Sequence, residues 1–385
     1  MIRRYWTGHR NLMIVVPAIA VVAVVVAGLL LVNVAGGTAQ ASPTPTATAT
    51  AIPTATPTPT AIPTPTSSPT PTTFAGSTPL PAGWAYAALD GVAATAAQAN
   101  RLPMAVMIDD NTVARPQSGI SSASIVYQAP ADGGEDRYMV IFQEGNASAI
   151  GPVRSARPYY VYWADEYKAM LGHFGGDAQT RHVVIPANAK YIYNMDALSG
   201  GGCAYHRVTT KPAPHNAYTA SSTLIDCLGI RKYPTTYQNL PTRPFRPDTN
   251  PVDRATAQSI SIAYRTGLDG YQFQPATDSY LRLINGKPEI DPANNAQVYA
   301  RNVIVMYQTL TTDYSEPKHA RPVVHNVGSG KALIFQEGRE IIGTWKKSSN
   351  TALTRFYDSS GNEISLVRGE IFIQSIPTTY KVTVS

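Results

Sequence analysis

Residues 42–73 read SPTPTATATAIPTATPTPTAIPTPTSSPTPTT, and no other stretch limits the fold of this chain as much. Proline, threonine, alanine and serine make up almost all of it, so it offers too little large apolar surface to build a core. Its recurring prolines favour polyproline II, which at about 3.1 Å per residue reaches on the order of 90 Å. Folded structure must therefore lie to either side of a plain spacer, although its threonines have the chemistry to carry sugars.

On the amino side, MIRRYWTGHR carries Arg3, Arg4 and Arg10 and no acid, and residues 12–35 follow without a charge. A spanning helix needs roughly 20 apolar residues, whereas the apolar region of a cleavable signal has about 7 to 15, so the length predicts an uncleaved transmembrane anchor. The flanking arginines stay cytoplasmic, which places the rest of the chain outside the cell membrane in a single-pass topology. Ala39-Gln40-Ala41 keeps a cleaved signal peptide open as the alternative. Net charge is +6, and setting aside the three arginines before the anchor leaves +3. Without a basic stripe interleaved with aromatics, nucleic acid is not an expected partner. Cys203 and Cys227 fall in the external part, where oxidation is permitted, and a disulfide between them is the plain expectation, with two buried thiols as the alternative.

Past the spacer, a proline-rich stretch with little apolar periodicity, Arg231 to Arg254, marks a boundary. Before it, LPMAVMID, ASIVYQ and RYMVIFQ are strand-like, and Tyr159, Tyr162, Trp163, Tyr167 and Met170 recur at helical steps, with Asp165, Glu166 and Lys168 on the opposite side. Pro158 suits the first turn of that helix and Gly172 its end. After the boundary, short runs such as NVIVMYQ, KALIFQ and EIFIQSI alternate with turn residues, among them Gly328-Ser329-Gly330 and Tyr357 to Asn362. The fold class expected is α+β: a mixed α/β N-terminal domain followed by a mostly antiparallel β domain. The predicted segments are 1–11 cytoplasmic, 12–35 anchor, 36–81 spacer, 82–243 the first domain and 244–385 the second.

ARPQSGISSASIVYQ, DGGEDRYMVIF, GPVRSARPY, HFGGD and PHNAYT, continued by VGSGKALIFQEG and EIFIQSIP in the second half, resemble the YerB-like family of bacterial lipoproteins. The resemblance covers essentially everything after about residue 90, and it implies a pair of domains of unknown function tethered outside the membrane by a lipidated cysteine. Two departures stand out. The amino end has no cysteine, so an apolar anchor takes the place of the lipid, and Asp136 stands where the family usually has threonine.

Arg154 and Arg157 flank Ser155 at the amino end of the predicted helix, where partial positive charge already gathers. Guanidinium forks, a capping serine and free N–H groups together suit a carboxylate or phosphate, and Arg137, Asn111 and Arg115 are grouped with them as ligand-binding candidates. The competing reading pairs the arginines internally with Asp132, Glu135 or Asp136. Asp109 and Asp110 close a predicted strand, a place where α/β folds present side chains to ligands. His173, His215 and Asp110 are the catalytic candidates. His173 lies four residues from Asp177, with His182 beyond, but Gly175-Gly176 break the spacing and no further ligand completes a metal set. Trp345 beside Lys346 and Lys347 is a candidate for sugar stacking, or simply core. With no complete triad, metal set or phosphate loop, no cofactor is expected. The functional expectation is an anchored envelope protein binding an anionic or carbohydrate cell-wall ligand through an arginine-lined site. The alternative is a wall-modifying hydrolase or transpeptidase using His173 or His215 with Asp110 or Cys203.

Overall fold

The computed structural model describes residues 79–256, 258–315 and 320–385. The anchor expected over 12–35 and the spacer up to residue 78 lie outside the described residues, and among those described no helix is long and apolar enough to cross a membrane. Strands dominate and helices are few and short.

In chain order the elements that matter are strands β1 (Met104–Asp109), β2 (Ile125–Pro130) and β3 (Asp136–Phe142), helix α1 (Pro158–Glu166), strands β4 (Met170–His173) and β5 (Tyr193–Asp196), and helix α2 (Ser221–Ile230). Then come β6 (Ser259–Tyr264), β7 (Gly267–Gln274), β8 (Ser279–Ile284), β9 (Asn302–Gln308), β10 (Leu310–Asp313), β11 (Arg321–Val324), β12 (Gly328–Gln336), β13 (Arg339–Lys347), β14 (Arg355–Tyr357), β15 (Ile371–Pro377) and β16 (Val382–Val384). Ten of them form one mixed sheet in the order β14-β13-β12-β9-β15-β2-β3-β1-β4-β5. A second, antiparallel sheet runs through β8, β7, β6 and β16.

The large sheet crosses the Pro-rich boundary without a break. β15, close to the carboxyl end, pairs in parallel with both β9 and β2, with Ile371 opposite Ile125 and Asn302. The second half is thus less uniformly antiparallel than its turn-punctuated sequence suggests. β9, β15, β2, β1, β4 and β5 all run in one direction, and β3 runs against them.

Burial of both faces explains the unbroken apolar runs. Met104, Val106 and Ile108 of β1 pack with Val126, Val140 and Phe142, against α2 and the second sheet. Ala105 and Met107 turn the other way and meet Tyr159, Tyr160, Trp163 and Ala164 of α1. Tyr127 stacks on Trp163 at 4.8 Å between centroids, and its hydroxyl meets that of Tyr167.

Pro158 does open α1, but the helix ends at Glu166, not at Gly172. Lys168 takes a left-handed φ of 53°, which ends the helical path, and Met170 and Gly172 belong to β4. That glycine serves packing, since a Cβ there would lie 2.9 Å from the Tyr205 hydroxyl. Gly328-Ser329-Gly330 is likewise strand, the start of β12, and a Cβ on Gly330 would meet the Trp345 indole nitrogen at 2.6 Å. Asp165 and Glu166, read from sequence as a solvent face, are fully buried. The Glu166 carboxylate receives Lys347 Nζ at 2.7 Å and the backbone and hydroxyl of Thr354, a pairing across 181 residues that no local pattern reveals.

Candidate functional site at the carboxyl edge of the parallel strands

Because six strands run in one direction, their carboxyl ends gather Asp109, Pro130, His173, Asp196, Gln308 and Pro377 along one edge of the sheet. In α/β sheets that edge is where ligands sit. The amino end of α1 points to it, and so does the extended segment before the helix, whose Arg154 N–H bonds the Met107 carbonyl and whose Arg154 carbonyl accepts from Phe174 N–H.

Asp109 and Asp110, adjacent in sequence, split across the sheet. Asp109 is fully buried, with Oδ2 2.6 Å from His215 Nδ1 and 3.1 Å from Arg154 Nε. The His215 loop lies between two paired strands, His206–Arg207 and Ala217–Tyr218, and Lys211 Nζ ties it to the carbonyls of Ala114 and Pro116. Asp110 joins a buried network with the second half: Arg115 and Gln117 bond its Oδ1, while Gln128 reaches Asp269 and Arg282. Burial raises the Asp110 carboxyl to about 6, with the Arg115 charge pulling the other way.

The two arginines of the opening motif both meet carboxylates. Arg157 binds Asp132 through Nε at 2.9 Å and through Nη2, and lies 3.6 Å from Asp177. Burial pushes the Asp132 carboxyl up, but the hydrogen bond and charge of Arg157 outweigh it and leave Asp132 below the usual range. Arg154, whose side chain is 26% exposed, pairs with Asp109. Of the acids expected to neutralise them, only Asp132 does so, while Asp109 and Asp177 come from other segments. Ser155 is not the cap of α1. Arg157 holds the cap position without a side-chain bond, and the Ser155 carbonyl accepts from Arg137 Nη1 at 3.0 Å.

Arg137 is the less balanced cation. It is 3% exposed, faces Asp109 across the β1–β3 register, has no carboxylate within ion-pair distance among the described residues, and its Nε lacks any hydrogen-bond partner. Burial and the neighbouring Arg157 both lower its pKa. Asn111 caps a short 3-10 turn after β1 and bonds Glu135, and Arg115 pairs with Asp110, so both adjoin this edge without facing Arg157.

His173 ends a strand and not a helix, with Nδ1 bonded to the Gly175 carbonyl and Nε2 to Asn194 Oδ1. It does not touch His215 or Asp110. Among the described residues no group of three or more His, Cys, Asp or Glu side chains is arranged to hold a metal ion. Cys203 and Cys227 are joined in a disulfide that ties the turn after β5 to α2.

A cavity of about 560 Å³ opens beside the start of α1. Arg157, Tyr162, Asp177 and Gln179 form one wall, and Asp313 of β10 with Arg321 of β11 form the other, so both halves of the chain contribute. Sequence reasoning missed Tyr162 and Gln179 as site residues and had no signal for β10 and β11, which reach this edge only through the fold.

Residues 89–233 match the family described as Protein of unknown function (DUF3048) N-terminal domain, and residues 260–373 match its C-terminal domain. "Putative lipoprotein YerB" of Bacillus subtilis (strain 168) is 25% identical over 289 residues, covering 74% of this chain and 84% of that protein. The crystal structure of YerB from Bacillus subtilis superposes with a TM-score of 0.68 at 23% identity, over 78% of this chain and 99% of that one, which shows a shared fold.

Proposed function

The chain belongs to the YerB-like family of paired DUF3048 domains, and from that premise we propose that it is a membrane-anchored, extracytoplasmic envelope protein that binds a cell-wall glycan at the carboxyl edge of its sheet. The lipoprotein name of its relative supports the location, and the uncharged run over 12–35 supplies the anchor. The cavity beside Arg157 carries the binding reading. Its guanidinium, carboxylate and amide groups alternate around a space next to Tyr162, the mixture that suits adjacent hydroxyls and a sugar ring. Asp177 and Asp313 match Arg157 and Arg321 in number in its wall, and Asp132 behind it pairs with both arginines, so a bare anion is the poorer fit and the carbohydrate limb of the expectation is preferred.

Retention of the full-length protein on purified insoluble cell wall tests this. Tyr162→Ala and Gln179→Ala, which alter the cavity wall without touching an ion pair, are expected to reduce retention at least tenfold. Unchanged retention in both would reject the site. One observation favours a second reading, hydrolysis: the Asp109 carboxylate holds His215 through Nδ1, the arrangement that orients a general base. Mass spectrometry of the same incubation separates the two, because new soluble wall fragments that vanish in His215→Gln would make the protein a hydrolase.

A further inference from the structure

A second cavity, about 520 Å³, lies farther along the same edge, at the carboxyl ends of β9 and β15. Tyr307, Thr309, His325, Lys331, Thr378 and Tyr380 line it, and among the described residues no carboxylate does. Lys331 Nζ stands 5.5 Å from the Tyr307 ring centre, and the Trp345 indole donates to the Tyr307 carbonyl at 2.9 Å, which fixes the backbone of that wall. Gly330 is required there by the close approach of Trp345. Trp345 itself is 3% exposed, so it is a buttress and the two tyrosines are the accessible rings.

One backbone segment serves both cavities. Arg321 to Val324 face the first, and His325 and Val327 face the second. Between them the buried Asn326 turns inward and its Nδ2 donates to the Tyr159 carbonyl at 3.0 Å, pinning the segment to the start of α1. From Pro322 to Val327 is at most about 17 Å of chain. That is more than one sugar ring covers and within reach of a short oligosaccharide.

We infer that the second cavity is a subsite for further rings of the same glycan, so that the protein binds a strand of several residues and favours acidic substituents in the second cavity. This rests on the glycan reading of the first cavity. Neutral hydroxyl groups, two aromatic rings and a lysine, in a wall whose described residues include no carboxylate, recognise a polyhydroxylated ring bearing negative charge. The first cavity, with Asp177 and Asp313 in its wall, takes the neutral end.

The test is calorimetric titration of the full-length protein with size-graded glycan fragments of purified cell wall, a disaccharide and an octasaccharide. The octasaccharide is expected to bind at least tenfold more tightly. Lys331→Glu and Tyr380→Ala should each erase most of that gain while leaving disaccharide affinity within twofold, and unchanged melting temperatures establish that both variants fold. Equal affinity for the two lengths, or a length gain that survives both substitutions, would overturn the subsite and leave the first cavity standing. Failure of both fragments to bind at all would reject both readings together.

Discussion

Asp165 gives the sharpest energetic test of this structure. It lies in the last turn of α1, is fully buried, and neither carboxylate oxygen has a hydrogen-bond partner. Burial pushes its carboxyl from 3.8 up to about 7, although Lys168 and Lys347 pull the other way. Below pH 3.8 the group is neutral in the folded and unfolded chain and adds no pH-dependent cost. Between there and pH 7 the unfolded chain releases the proton that the folded chain keeps, so stability falls as pH rises, and above pH 7 the loss is complete. At about 1.36 kcal/mol per pH unit, the span from pH 4 to 7 amounts to about 4 kcal/mol. Asp165→Asn removes that dependence. Burying an unpartnered amide has its own cost, about 1 to 3 kcal/mol, but that cost does not vary with pH and cancels when two pH values are compared. Other titrating groups act alike on both proteins. Urea unfolding of wild type and variant, followed by tryptophan fluorescence at pH 4 and pH 8, should therefore show the advantage of the asparagine growing by about 4 kcal/mol over that range. A change below about 1 kcal/mol would show that Asp165 is solvated or paired, and would refute the reasoning.

Three further outcomes are expected. Arg137→Met should raise stability by about 1 to 2 kcal/mol in chemical denaturation, because it removes a buried guanidinium with no carboxylate within ion-pair distance among the described residues; a loss of stability would mean that Asp109 compensates the charge in full. Glu166→Gln should cost about 3 to 5 kcal/mol by leaving Lys347 buried without its carboxylate, and pairing it with Lys347→Met should recover much of the loss in a double-mutant cycle. Replacing Cys203 and Cys227 by serine opens a loop with a sequence separation of 24 and should cost about 3 kcal/mol, read as a shift in urea midpoint that reductant reproduces in the wild type.

Local pattern carried much of the fold. β1, β2 and β3 were legible as apolar runs because both faces of each are buried, and Pro158 marked the start of α1 because its fixed φ suits a first turn. The end of α1 was not legible, since the apolar spacing passes unbroken from helix through Tyr167 and Lys168 into β4. Asp165 and Glu166 looked like a solvent face because their surroundings come from Lys347 and Thr354, far along the chain. The site shows the same division. Arg154 and Arg157 stood out by charge at a helix start, and Asp132, close in sequence, was among the expected partners. Asp109 and Asp177 were not, and the wall supplied by β10 and β11 depends on long-range pairing that no local motif encodes.

The position of β15 bears on when the protein can finish folding. Its partners β2 and β9 precede it by many residues, yet the sheet is continuous between them only when Ile371–Pro377 is in place. A chain emerging amino end first thus leaves β2 with one row of backbone N–H and C=O groups open until Ile371–Pro377 has emerged. Completion of the fold is thus tied to the arrival of this one strand, and until then the open edge of β2 is a template on which another chain could pair.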